Sequence, residues 1–239
     1  MNTLGAALAV LPWPDWAAVA LFFSGWVGYA IWAKRRAEVR PSLLALTNRE
    51  RTRWMMQTTW RENRVFDGVV VQNLSTSPSF FASTTILIIG GLLAVLSATE
   101  HASELVREIP FAARTSLIVF DMKVVLLTAI FVYAFFRFTW SMRQYSFGAL
   151  LVAAAPDRGA WAGEAQRTLF ASRAGRMMGL AAEAFNDGLR AYYLAFAAVA
   201  WFFSAWAFMA GTVGVVWILY RREFHSDVVA LLAEGPDAD

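Results

Sequence analysis

Residues 116–136 read SLIVFDMKVVLLTAIFVYAFF, an apolar run of membrane length interrupted only by Asp121 and Lys123. A hydrocarbon layer about 30 Å thick is crossed by about 20 mainly apolar residues in a helix, so the run reads as a span. Three further runs meet the same requirement without a charge: Trp16 to Ala33, Phe80 to Ala98 and Ala191 to Tyr220. Composition points the same way, with 58% of the 239 residues hydrophobic and 16% charged, a balance foreign to soluble domains. The expected fold is an all-α integral membrane protein, one membrane domain over residues 1–239. It is a bundle of four transmembrane helices, with additional amphipathic or cytoplasmic helices in two long loops, residues 34–79 and 137–190.

The 21 basic residues set the expected orientation, because short cytoplasmic loops collect Lys and Arg. Nine lie from Lys34 to Arg64 and seven from Arg137 to Arg190, while the connection from Thr99 to Thr115 holds only Arg107 and Arg114. Both long loops are therefore expected in the cytoplasm and both termini outside, in an inner or plasma membrane. Arg221 and Arg222, which follow the fourth run, disagree with that arrangement. Leu4 to Leu11 is apolar, but no Lys or Arg precedes residue 34, so the basic region of a secretory signal is missing; Met1 to Asp15 reads as a short outer tail. The net charge of +3, sorted to one face, suits contact with anionic headgroups and not with nucleic acid.

The first long loop carries Thr47 and Glu50 at capping-box spacing, which predicts a helix start there. Continued at about 100° per residue, that helix puts Arg49, Arg53, Arg61 and Arg64 on one flank, suited to headgroup contact. Trp54, Met55, Val65, Phe66, Val69 and Val70 fall on the opposite arc, with Arg51 and Glu62 out of place among them. Packing beneath the bundle is the competing reading. Pro78 predicts a break before the second span. The Ser and Thr residues around it, including Ser83, Thr84 and Thr85, either line the inner mouth of a polar pathway or cap the new helix. In the second loop, Phe147 to Ala155 is apolar but too short to span and reads as an interfacial or re-entrant piece. Pro156 to Gly163 reads as a break before a helix on which Ala171, Gly175 and Gly179 permit close contact. Gly90, Gly91 and Ala94, and Ala207, Gly211 and Gly214, offer similar faces on the spans.

Several stretches carry a resemblance. Gly25-Trp26-Val27-Gly28-Tyr29, then Arg53-Trp54-Met55, Arg64, Asp67 and Phe80-Phe81-Ala82-Ser83-Thr84, resemble the membrane family known as DUF599. The later run Phe185-Asn186-Asp187-Gly188-Leu189-Arg190-Ala191-Tyr192-Tyr193, with Ala200-Trp201-Phe202 and Tyr220-Arg221-Arg222-Glu223-Phe224, is similar to that family's last quarter. The resemblance implies a multi-pass helical membrane protein and leaves its activity open.

The chemistry that remains is sparse. There is no cysteine, so thiolate catalysis and cysteine metal sites are excluded, and no histidine lies inside a span to hold a haem. If Thr99 to Glu108 is helical, His101, Glu104 and Glu108 share a face, either as metal ligands or as a solvated acidic linker. No catalytic motif stands out, so neither enzyme activity nor a resident cofactor or metal is expected. An ionisable group at bilayer depth normally faces a protein interior or a polar cavity, which singles out Asp121 and Lys123. Two residues apart on a helix, they point away from each other and cannot pair locally. Ser24, Ser97 and Thr212 are expected at similar depth as polar neighbours. Two readings follow: a channel- or transporter-like pathway for an ion or small polar solute, formed by a homo-oligomer, or a non-catalytic scaffold docking other membrane proteins.

Overall fold

Helical periodicity and apolar length carry through to the structure, a computed structural model that describes residues 11–36, 42–108 and 116–234, the Arg107 side chain excepted. All regular structure among the described residues is helical. The elements are α1 (Trp13–Arg36), α2 (Leu43–Thr58), α3 (Val65–Ser97), α4 (Thr99–Glu108), α5 (Leu117–Ala153), α6 (Glu164–Ala200), α7 (Ala205–Phe224) and α8 (Asp227–Ala233). Three of them, α1, α3 and α5, are long and apolar enough to cross a membrane. Most of the outer tail expected for Met1 to Asp15 lies outside the described residues.

Four local expectations are corrected. Ser42, not Thr47, starts the first loop's helix, its Oγ accepting from the Ala45 N–H at 3.2 Å; Thr47 sits inside the helix and donates to the Leu43 carbonyl at 2.9 Å. That helix ends at Thr58, so the two arcs drawn through residue 70 belong to two separate helices. Pro78 does not break the chain: α3 continues through it from Val65 to Ser97. Proline removes only the one bond to the Leu74 carbonyl, a loss that a helix of 33 residues tolerates. Phe147 to Ala153 is not re-entrant but the last turns of α5.

The fourth apolar run is the largest correction. Ala191 to Tyr220 is not one span: α6 ends at Ala200, Trp201, Phe202 and Phe203 form a tight turn, and α7 starts at Ala205 with the Ser204 hydroxyl accepting from the Ala207 N–H at 3.0 Å. The chain doubles back here, since a Cβ on Gly211 would lie 3.4 Å from Ala197 Cα. Phe208 stacks on Trp201 with ring centres 5.2 Å apart. Hydropathy misses the reversal because its residues are themselves apolar.

The chain forms two compact units, Met1–Arg36 with Thr85–Ala134 and Leu189–Tyr220, and Ala37–Thr84 with Phe135–Gly188 and Arg221–Asp239. In the first unit α7 runs parallel to α1: Phe22 meets Phe208, Gly25 meets Thr212, and Trp32 meets Tyr220 further along both helices. Trp26 against Tyr133 aligns α5 in the same sense, while α6 opposes it through Phe131 with Tyr192 and Lys123 with Trp201. Arg221 and Arg222 lie in the last turn of α7, as Lys34, Arg35 and Arg36 lie in the last turn of the parallel α1. An outer C-terminus, expected from a single fourth span, does not follow from this threading. The core is aromatic and small: Ala18, Phe22, Ile130, Ala134, Leu194 and Phe208 are all essentially inaccessible.

The second unit packs α2 against α6 with almost no side-chain spacer. A Cβ on Gly175 would come within 2.6 Å of Thr52 Oγ1 and 2.8 Å of its Cα, and one on Gly179 within 2.9 Å of Asn48 Oδ1. Met55, Val71, Tyr145 and Met178 fill the core beside this contact, and α8 rests on α2. Phe138 lies between Phe81, Phe185 and the bare Cα of Gly188.

These glycines separate into two kinds, which gives a test. Gly175→Ala forces the Thr52 backbone to move and should lower stability by about 1–3 kcal/mol, read as a drop in Tm in mild detergent. Gly90→Ala has open space around it and should leave Tm unchanged or raise it slightly, because alanine favours a helix by about 1 kcal/mol. Equal Tm values for the two variants would sink the close-approach account.

Candidate functional site

Polar chemistry collects at one end of the first unit, where the beginnings of α1 and α5 meet the ends of α3 and α6. The turn after α6 leaves carbonyls that no later N–H of that helix can reach. Lys123 donates to one of them, the Trp201 carbonyl, at 2.9 Å. Its ammonium also lies 5.5 Å from the Trp201 ring centre and 5.7 Å from that of Phe202, within cation–π range. A cation at a helix C-terminus is further favoured by the helix dipole. Trp201 in turn donates its indole N–H to Asp15 Oδ1, so the acid in the first turn of α1 sits close to the buried amine. Lys123 is only 3% exposed, buried and not reaching for an interface.

Asp121 has a different environment. It is half-buried and its Oδ1 accepts from the Thr99 hydroxyl at 2.7 Å. The same carboxylate lines an otherwise apolar groove of about 460 Å³, shared with Trp16, Val19, Met122, Val125 and Ala129. The neighbours expected from depth are elsewhere. Ser24 is exposed, Ser97 bonds back to the Leu93 carbonyl, and Thr212 is buried but donates to the Phe208 carbonyl of its own helix. Ser83, Thr84 and Thr85 likewise form no common mouth. Ser83 is exposed, Thr84 bonds back to Phe80, and Thr85 is fully buried with its hydroxyl 2.7 Å from that of Tyr192.

The second unit holds a polar hub around Asp67, placed by the first turn of α3 and fully buried. Its Oδ1 accepts from Trp54 Nε1 at 2.7 Å, from the Thr58 hydroxyl at 3.0 Å and from Arg61. Its second oxygen, also buried, accepts nothing among the described residues. Arg64 reaches the carbonyls of Ala155 and Pro156, tying the α2–α3 connection to the loop after α5. Of the four arginines expected at headgroups, then, Arg61 and Arg64 are half-buried and donate to Asp67 and to the loop carbonyls. Arg53 pairs with Glu50 at 2.7 Å, and Arg49 is exposed. Arg51 is not misplaced on an apolar arc: it bonds Thr47 and Asn48 at 2.9 and 2.8 Å. Burial pushes its guanidinium below the usual range, while Tyr145 acts in the opposite direction. Arg167 donates to the carbonyls of Thr59 and Arg158 and stacks 3.9 Å above the Trp60 ring, walling a cavity of about 580 Å³.

Thr99–Glu108 is helical, yet no three His, Asp or Glu side chains among the described residues converge as a metal site. Sequence reasoning missed Asp15, Thr99 and Trp201, all distant in the chain from the charges they satisfy. Arg137 with Asp187, 2.5 Å apart, escaped it for the same reason. The lone Ser204 after three bulky apolar residues was the available signal for the turn.

Both clusters predict stability effects. Lys123→Met strips the Trp201 carbonyl of its donor, and an unmet buried acceptor costs about 1–3 kcal/mol; thermal unfolding in detergent should register the loss. Asp67→Ala leaves Arg61, Trp54 and Thr58 without their acceptor and should cost about 3–5 kcal/mol, the range for removing one partner of a buried pair. An unshifted Tm in either variant contradicts the corresponding assignment.

No curated protein and no solved structure matches the chain. The family model described as "Protein of unknown function, DUF599" matches residues 17–228, a range that takes in all but the first turn of α1, the Asp67 hub, Asp121, Lys123 and all of α7. This membrane-type helical protein therefore belongs to the DUF599 family.

Proposed function

We propose that the protein is a non-catalytic, membrane-embedded docking subunit that holds a second copy or another membrane protein through its cytoplasmic helices. The supporting observation is a surface of the second unit where α5 and α6 leave a groove of about 390 Å³ lined by Phe147, Leu150, Met177 and Leu180 together with Arg173 and Arg176. Leu150 and Leu180 are well exposed there. α5 has 37 residues, about 55 Å at 1.5 Å per residue, whereas a hydrocarbon core takes up about 20 residues. An inner interface at Arg137 and Arg143 would carry Phe147 to Leu151 beyond lipid on this reading. A contiguous exposed apolar patch marks an interaction site, and arginine is among the residues enriched at the anchors of protein contacts.

A solute pathway is the weaker reading. Charge within a span motivated it, and both charges have structural partners, Lys123 in the Trp201 carbonyl and Asp121 in Thr99. Asp121→Asn in reconstituted vesicles tests it directly, since a pathway through this carboxylate requires a changed flux.

The parallel course of α1 and α7 supports one orientation. On this reading Lys34–Arg36 of α1, Arg137 and Arg143 in the second half of α5, and Arg221 and Arg222 of α7 lie toward the cytoplasm, so the positive residues agree. In a plasma membrane, a fluorescent protein fused after residue 234 should fold and glow in the cytoplasm, and a periplasmically active reporter there should stay silent; the reverse pattern overturns this topology. For docking, the chain has no cysteine, so a single photoreactive label on Leu150→Cys is unique. It should give one discrete protein adduct in native membranes, while the same label on Leu87→Cys, on an exposed stretch of α3, should give lipid adducts. Indistinguishable patterns at the two positions count against the docking surface.

A further inference from the structure

We propose that the groove between α1 and α5 is a binding site for a membrane lipid carrying a primary ammonium headgroup, with Asp121 as its anchor. This goes beyond the docking reading and rests on different residues. Three observations carry it. The groove has room for a ligand, about 460 Å³, within the roughly 300–1,000 Å³ typical of small-molecule sites. From Ile118 to Ala129 along α5 it extends about 16 Å at 1.5 Å per residue, a length suited to an acyl chain. Its wall is apolar except for one carboxylate, and that carboxylate has capacity left. Asp121 Oδ1 accepts from Thr99, and no second partner is found for the side chain among the described residues.

Charge and depth then select the ligand. Asp121 is one turn into α5, which places it near the outer interface, where headgroups and not chains reside. A carboxylate at such a boundary is best met by a cation that donates hydrogen bonds, and a primary ammonium does both. A quaternary ammonium offers charge without N–H donors, and an anionic headgroup is repelled. Lys123 does not compete for Asp121, because it points to the opposite side of the helix and is bound to Trp201. Trp16, in the first turns of α1, contributes an interfacial ring beside the headgroup position.

Native mass spectrometry of the full chain, released from micelles doped with equal amounts of phosphatidylethanolamine, phosphatidylcholine and phosphatidylglycerol, tests the assignment. The wild type should retain phosphatidylethanolamine preferentially. A hydrogen bond to a charged group is worth about 1.5–3 kcal/mol, so the preference should fall about tenfold or more in Asp121→Asn. Val125→Trp fills the groove, keeps the carboxylate, and should lose retention of all three lipids; it decides the matter should Asp121→Asn fail to fold. Equal retention of the three lipids by the wild type, or an unchanged preference in the groove-filling variant, overturns the proposal.

Discussion

A chain reversal among apolar helices leaves buried backbone carbonyls in need of a donor, and in this protein one lysine answers that constraint. Lys123 reaches from α5 to the Trp201 carbonyl at the end of α6, and Asp15 meets the indole of the same tryptophan. A buried acceptor left unmet costs about 1–3 kcal/mol, so the tight turn and the buried charge are interdependent. The turn returns α7 alongside α1, and that parallel course carries Arg221 and Arg222 to the end already marked by Lys34–Arg36. A residue that looks like a transport site by its charge and depth is thus the support for a topology.

The same economy governs the second unit. Asp67 gathers Trp54, Thr58 and Arg61 around one oxygen, and Arg64 and Arg167 clamp loop carbonyls. Arginines that a helical wheel assigns to a membrane surface therefore hold connections in place. Glycine provides the complementary device, since Gly175 and Gly179 let α2 lie against α6 at backbone distance. These contacts leave the far side of α5 and α6 uncovered, with apolar side chains and arginines together. Docking through that side and lipid binding at Asp121 are compatible roles, since they use separate surfaces of the protein.

The amino-acid sequence by itself determined the class: apolar length and helical periodicity mark α1, α3 and α5 as membrane-length helices, and ordered motifs place the chain in DUF599. It also separated Asp121 from Lys123, because residues two apart on a helix cannot share a face. Only the tertiary structure decided where the last apolar run turns, which partners the two charges take, and which arginines are interior. The physical reason is one of range. Hydropathy and periodicity report local burial, and a turn made of Trp201, Phe202 and Phe203 is as apolar as the helices it joins. The bonds that make such a turn stable come from residues dozens to hundreds of positions away, and no local pattern encodes them.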